Sequence, residues 1–472
     1  MTLQENRHPA LNPRLTAAAT AAVLLASLAA LPAVAQAQAA AATPPVYPVR
    51  DFFSNPERAY FRLSEDGRWL GYMAPAVGDG GPTPRRNIFV QELKGSQPVG
   101  TPRQLTRESA RDIGNYRWKG DGTLLYEKDF GGDENFHVVS VDVATGKVTD
   151  LTPFEKTRAN VINELPEDPV HILVAHNQRD AKVMDVYRVN VKTGAQALVA
   201  QNPGNITDWT ADHLGRVRLA VASDGVNNTV LYRASEKDAF KPLFTTDFRT
   251  QVGPAFFDFD NHKFYAISNR GRDKAAAVLI DPAKPDAETV VYEHPAVDLM
   301  GLNYSRRYKV LTTAEYLEEK PGRKIFDRRS QTLFDRLATK LPGYEVLLQA
   351  TDKAEDKFIV AAFSDRTEGA RYIYDAKSDS VAKLGDINPK LPEKNMAAIQ
   401  PVRYTARDGL VIPAYLTLPP GREAKNLACV VNPHGGPWAR DAWGFNPEVQ
   451  FLANRGYCVL QMNFRGSTGY GR

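Results

Sequence analysis

The sequence predicts an all-β, seven-bladed β-propeller followed by the start of an α/β domain that the residues present leave incomplete. Three observations predict it. A unit of alternating strand pairs recurs between residues 60 and 392. Near residue 395 the alternation gives way to unbroken apolar runs, as buried parallel strands require. A His-Gly-Gly-Pro loop follows the first of those runs, where α/β sheets place their sites.

The N-terminal 36 residues read as a signal peptide rather than as fold. Arg7, His8 and Arg14 form a basic start, Leu15 to Leu31 is rich in Ala and Leu, and Ala33-Val34-Ala35 supplies small residues for cleavage. The apolar run is short for a membrane span and carries no charged stop, so stable membrane insertion is not expected; a permanent N-terminal anchor is the competing reading. Export to a periplasm or beyond is the expectation. Residues 37–59 read as a tether and lead-in segment, Ala/Pro-rich as far as Pro48.

The repeat occupies residues 60–392. Its clearest hairpins are VVSVDVATGKVTDLTP from Val138 and VYRVNVKTGAQALVAQ from Val186, each with alternating apolar residues about a Thr-Gly turn. Further hairpins start at Asn87, Leu231, Val278, Ile325 and Tyr372. Before each comes another strand pair, starting at Phe61, Tyr116, Glu164, Trp209, Phe256, Leu302 and Gln349, with steps of 45 to 55 residues. Four strands per unit at that period predict propeller blades, because one small sheet cannot bury both faces alone. Unrelated strand pairs in a sandwich would not repeat so evenly.

Residues 395–472 change character. Ala397 to Gly421 reads as two strands about the turn Arg407-Asp408-Gly409. Then LACVVNP is a non-alternating run, Val449, Phe451 and Leu452 show helical spacing that ends at Gly456, and YCVLQMNF is a second apolar run. Strand, helix, strand is a βαβ unit. The two cysteines, Cys429 and Cys458, sit in these two runs. Free buried thiols are expected there, with a disulfide as the alternative that export allows.

Composition narrows the function. The 472 residues include 43% hydrophobic and 24% charged residues with a net charge of +4. That balance is ordinary for a globular protein and gives no reason to expect nucleic acid. No HExxH or paired-cysteine spacing calls for a metal, and no cofactor is expected. Asp129, Asp133 and Glu134 lack EF-hand spacing and read as a strand-connecting loop. At His434-Gly435-Gly436-Pro437 the glycines let main-chain N–H groups turn into a cleft, which suits an oxyanion formed in acyl transfer. A Gly-Gly turn without chemistry is the plainer alternative.

HGGPWARDAWGFNPEVQFLANRGY, followed by NFRGSTGYG, resembles the opening of the catalytic domain in the prolyl oligopeptidase family of serine peptidases, nearest its acylaminoacyl-peptidase and dipeptidyl-peptidase-like branch. The resemblance is strong over 397–472 and looser over the repeat. It implies a propeller followed by an α/β-hydrolase domain and a peptide substrate. It places an oxyanion-hole N–H on Gly436 or Gly435, Gly436 being favoured. It also makes His434, Arg465 and Tyr470 candidates for substrate contact. Ser467 lacks the nucleophile's frame. The Gly-x-Ser-x-Gly elbow that would carry the attacking serine does not occur in these residues, nor do the Asp and His that follow it in the family. The chain as given is therefore expected to be inactive, a truncated piece of a peptidase. A non-catalytic exported propeller that binds proteins or peptides is the alternative, and an esterase is a third reading. Glu315, Glu318 and Glu319 read either as a solvated charged loop or as a grip on a substrate amino terminus of the kind some relatives use.

Overall fold

The computed structural model describes residues 43–78 and 84–472. The expected signal peptide and the first part of the tether lie outside the described residues. Among those described, no helix is long and apolar enough to cross a membrane.

Among the described residues, seven antiparallel sheets follow one another, at residues 59–104, 116–150, 159–200, 206–247, 252–292, 299–325 and 345–386. In each, strands pair in chain order. Six sheets have four strands and the sixth has three. The turns explain why hairpins form where they do. The Asp142 carboxylate accepts the N–H groups of Ala144 at 3.1 Å and Thr145 at 2.9 Å, and Gly146 takes a φ of +73° that favours glycine. Asn190 and Gly194 repeat the device one sheet later.

Alternation then buries one stripe of each sheet against the next. Met73, Ile88 and Val90 of the first sheet pack on Tyr116, Leu124 and Val139 of the second. Equivalent cores join the second to the third, the third to the fourth, the fourth to the fifth and the fifth to the sixth. Phe61, Leu63 and Leu70 of the first sheet share a core with Ile359, Ile373 and Ala382 of the seventh. The succession thus returns on itself. Burying each such large apolar side chain contributes about 1.5–3 kcal/mol.

One expected hairpin is a helix instead. From Ile325 the chain completes the short strand Pro321–Ile325 and then forms the helix Arg328–Lys340. Asp327 caps it by accepting the N–H groups of Arg329 and Ser330. Leu333, Phe334, Leu337 and Leu341 recur at helical spacing and bury against Val360 and Tyr374 of the seventh sheet. A cap followed by a 3.6-residue stripe outweighs the alternation that the blade repeat suggests.

The last sheet is mixed, in the order Ile399–Thr405, Val411–Thr417, Cys458–Met462, Cys429–Val431, and its last two strands are parallel. The connecting helix Pro447–Asn454 is capped by Asn446 and ends before Gly456, whose φ is +92°. Two expectations are corrected here. The strand Cys429–Val431 is the sheet's edge and is exposed rather than buried on both faces. The cysteines are not free: they are register partners on the parallel pair, 4.5 Å apart at Cα, and form a disulfide. Parallel neighbours joined by one helix bring residues 29 apart into bonding range.

The described part of the lead-in segment packs on that helix. Tyr47 N–H donates to Asn454 Oδ1 at 2.9 Å, and the rings of Phe52 and Phe451 meet edge to face at 5.7 Å.

Candidate active-site loops

Two loops meet at the carboxyl ends of the parallel strands: residues 432–444 and residues 463–471. The His434 ring stacks on Phe464 at 4.3 Å. Its Nδ1 lies 2.8 Å from the Gly435 carbonyl and its Nε2 lies 2.7 Å from Ser467 Oγ. Only a protonated Nδ1 can bond a carbonyl, so in the neutral ring Nε2 accepts the Ser467 hydroxyl. Thr468 N–H also donates to the Ala439 carbonyl at 2.9 Å. The two loops therefore hold each other.

Gly435 and Gly436 are exposed, and no acceptor among the described residues takes either main-chain N–H. Gly436 has a φ of +134°, and a Cβ there would stand 2.7 Å from the Trp438 nitrogen. Glycine is thus required at Gly436 by conformation and by space. Trp438 beside it is 82% exposed.

Beneath lies a buried polar network. Asp441 Oδ1 accepts Gln461 Nε2 at 2.7 Å, while Asp441 Oδ2 and Gln461 Oε1 are buried without partners. Burial raises the Asp441 pKa above the usual aspartate range, against the pull of the Gln461 bond and of nearby His434. The side chain of Asn463 accepts Asp441 N–H at 2.7 Å and donates to the Tyr470 hydroxyl at 2.7 Å. Arg440 stacks over Tyr470, donates to its hydroxyl at 2.7 Å, and reaches the carbonyls of Leu317 at 3.0 Å and Glu318 at 3.3 Å. Lys274 Nζ donates to the Tyr470 carbonyl, and Asp298 N–H to the Gly469 carbonyl. The loops are thereby docked on the fifth and sixth sheets.

The structure thus brings His434, Gly435 and Gly436 together and sets Tyr470 behind them as a packing hub. It does not bring Arg465 with them: its guanidinium pairs with Asp408 at the exposed hairpin turn. Glu318 and Glu319 face Arg403, at 3.9 and 3.1 Å, with all three about half exposed. Arg440, Asp441, Gln461 and Asn463 escape a reading of the sequence. Their partners lie in other segments, and only the polar breaks at the ends of apolar runs mark them.

No protein-family model matches the chain. A curated relative, dipeptidyl aminopeptidase BIII of Pseudoxanthomonas mexicana, is 34% identical over 482 aligned residues, covering 99% of this chain and 67% of the relative. The chain belongs to the prolyl oligopeptidase family. Dipeptidyl peptidase family member 6 of Caenorhabditis elegans is 25% identical over 90% of this chain and 62% of its own length. The chain thus spans about two thirds of the length of these relatives. Among solved structures, a prolyl endopeptidase superposes with a TM-score of 0.66 at 14% identity, over 90% of this chain and 63% of that one. A puromycin-hydrolyzing peptidase of Mycobacterium tuberculosis gives 0.62 at 15%, over 92% and 70%. These two likenesses show a shared fold.

Proposed function

We propose that the seven sheets are the blades of a β-propeller spanning residues 60–392 and that residues 395–472 open an α/β-hydrolase domain. In this reading the protein is a serine peptidase acting on oligopeptides. The observation that carries it is the free pair of N–H groups at Gly435 and Gly436, with glycine enforced at Gly436 and the loop braced by the His434–Ser467 bond. A serine oxygen attacks the peptide carbonyl carbon, a histidine takes the serine proton and returns it to the leaving amine, and Gly436 N–H holds the oxygen that becomes negative.

The nucleophile's Gly-x-Ser-x-Gly frame does not occur in these 472 residues, and in this reading they supply the oxyanion donor rather than the attacking serine. Ser467 does not replace it. Its partner His434 turns Nδ1 to a neighbouring carbonyl rather than to a carboxylate that would stabilise an imidazolium. The names of the two curated relatives favour release of dipeptides, and the signal-like first 36 residues favour an exported protein.

The test assays the 472-residue chain and the product of the whole gene side by side on chromogenic dipeptidyl amides and blocked oligopeptides. Cleavage by the whole product alone supports the reading. Cleavage by neither, with tight peptide binding by both, favours a non-catalytic propeller.

A further inference from the structure

The loop that carries Gly435 and Gly436 is pinned at both ends on one strand and its extension. At its start Asn432 N–H donates to the Leu460 carbonyl at 2.9 Å. Toward its end Asp441 is held by Gln461 and Asn463: its N–H donates to Asn463 Oδ1 at 2.7 Å, and its carbonyl accepts Asn463 Nδ2 at 3.1 Å. The two glycines lie between these pins, so where their N–H groups sit depends on both.

The side chain of the Asp441 pin poses a chemical conflict. Its Oδ1 accepts Gln461 Nε2 at 2.7 Å, while Asp441 Oδ2 and Gln461 Oε1 are buried without partners. An ionised carboxylate and an amide oxygen can only accept hydrogen bonds. Two buried acceptors left open on groups already joined by one bond are costly. No cation resolves this: Arg440, next in the chain, directs its guanidinium to Leu317, Glu318 and Tyr470, and no ion pair among the described residues takes Asp441. The other titratable groups around it are His434 of its own loop, Tyr470 of the second loop, and Tyr415, the register partner of Gln461. One proton on Asp441 Oδ2 removes the conflict. Oδ2–H then donates to Gln461 Oε1 while Gln461 Nε2 donates to Oδ1, and acid and amide close a ring of two hydrogen bonds.

We propose that Asp441 is a positioning residue for the oxyanion donors, acting as a neutral acid that shares its proton with Gln461. Loss of that proton sets a negative Oδ2 against Gln461 Oε1 in a buried site and loosens this end of the loop. The burial that pushes the Asp441 carboxyl above the usual aspartate range acts in the same direction. The catalytic consequence rests on the peptidase reading; the proton and the pin do not.

Infrared, exchange and kinetic measurements test it together. Difference spectra between the 472-residue chain and Asp441→Asn, from about pH 4 to about pH 9, should show one neutral-carboxyl band. Its half-point should lie about one unit or more above the ordinary aspartate value, ~3.9. Through the same range, amide exchange in residues 432–441 should quicken in the parent relative to Asp441→Asn, whose side-chain amide completes the ring at every pH. In the whole gene product kcat should fall across that half-point with KM unchanged, and Asp441→Asn should hold its kcat on the alkaline side. Asp441→Ala and Gln461→Met should each lose about tenfold or more in kcat. Absence of the band overturns the proposal, as when a water donates to both oxygens and leaves Asp441 ionised. So does an identical exchange response in the parent and Asp441→Asn. A whole product that cleaves nothing sinks the peptidase reading, while the infrared and exchange results still decide the proton and the pin.

Discussion

Arg440 Nη1 donates to the Leu317 carbonyl across 3.0 Å, joining the loop after the Gly-Gly pair to the end of a sixth-sheet strand. The same guanidinium reaches Glu318 and Tyr470. One planar, five-donor group thus fixes where both candidate loops sit on the sheets below.

Replacing Arg440 by Ala leaves two carbonyls and a half-buried hydroxyl short of a donor. Loss of about 1.5–3 kcal/mol is expected, since charged donors make the stronger hydrogen bonds. Arg440→Lys should recover part of it, because Lys keeps the charge but not the fork. Differential scanning calorimetry of the three proteins checks the order.

The Cys429–Cys458 bond closes a loop of 29 residues. The chain-entropy relation puts its stabilisation at about 3–4 kcal/mol. Urea denaturation of Cys458→Ala, and of the parent with and without dithiothreitol, should show that loss in the residues after 395. An unchanged midpoint would mean that the parallel pair holds without the crosslink.

Asp441 sets a pH dependence with a definite sign. Its folded pKa lies above the unfolded value, so the folded state favours the protonated acid. Its stabilising contribution is fully present below about pH 3.9, the ordinary aspartate value, and is lost as pH rises through the folded value. Asp441→Asn mimics the neutral acid. It should raise the melting temperature at pH 7 by about 1–2 °C, with the gap closing as pH falls toward 4. A gap that widens in acid would contradict the burial argument.

Gly436→Ala forces a side chain onto a φ of +134° and into the Trp438 nitrogen. The loop is exposed, so folding should tolerate it. In the whole gene product kcat should fall by about 100-fold with little change in KM, as when an oxyanion donor is displaced. A parallel rise in KM alone would assign the loop to substrate binding.

Much of this architecture was legible from residue order. A period-two pattern broken by Thr-Gly turns declares hairpins, because the turn's own Asp or Asn bonds its backbone locally. The Gly-Gly pair after an apolar run declared the loop for the same reason, since a positive φ is a local demand. The sixth sheet shows where such reading slips. Ile325 to Leu341 carries both a strand-like start and a helical stripe, and the Asp327 cap together with burial of Leu337 against the seventh sheet decides between them.

The sequence by itself determined the local conformations: alternation, turns, caps and the glycine that a turn or close approach requires. Each depends on interactions within a few residues. Only the tertiary structure decided that Cys429 lies beside Cys458, that Arg440 reaches Leu317, that Arg465 is drawn to Asp408, and that Gln461 meets Asp441. Those relations depend on which strands become neighbours and which faces meet, and such contacts are set by packing across the whole chain.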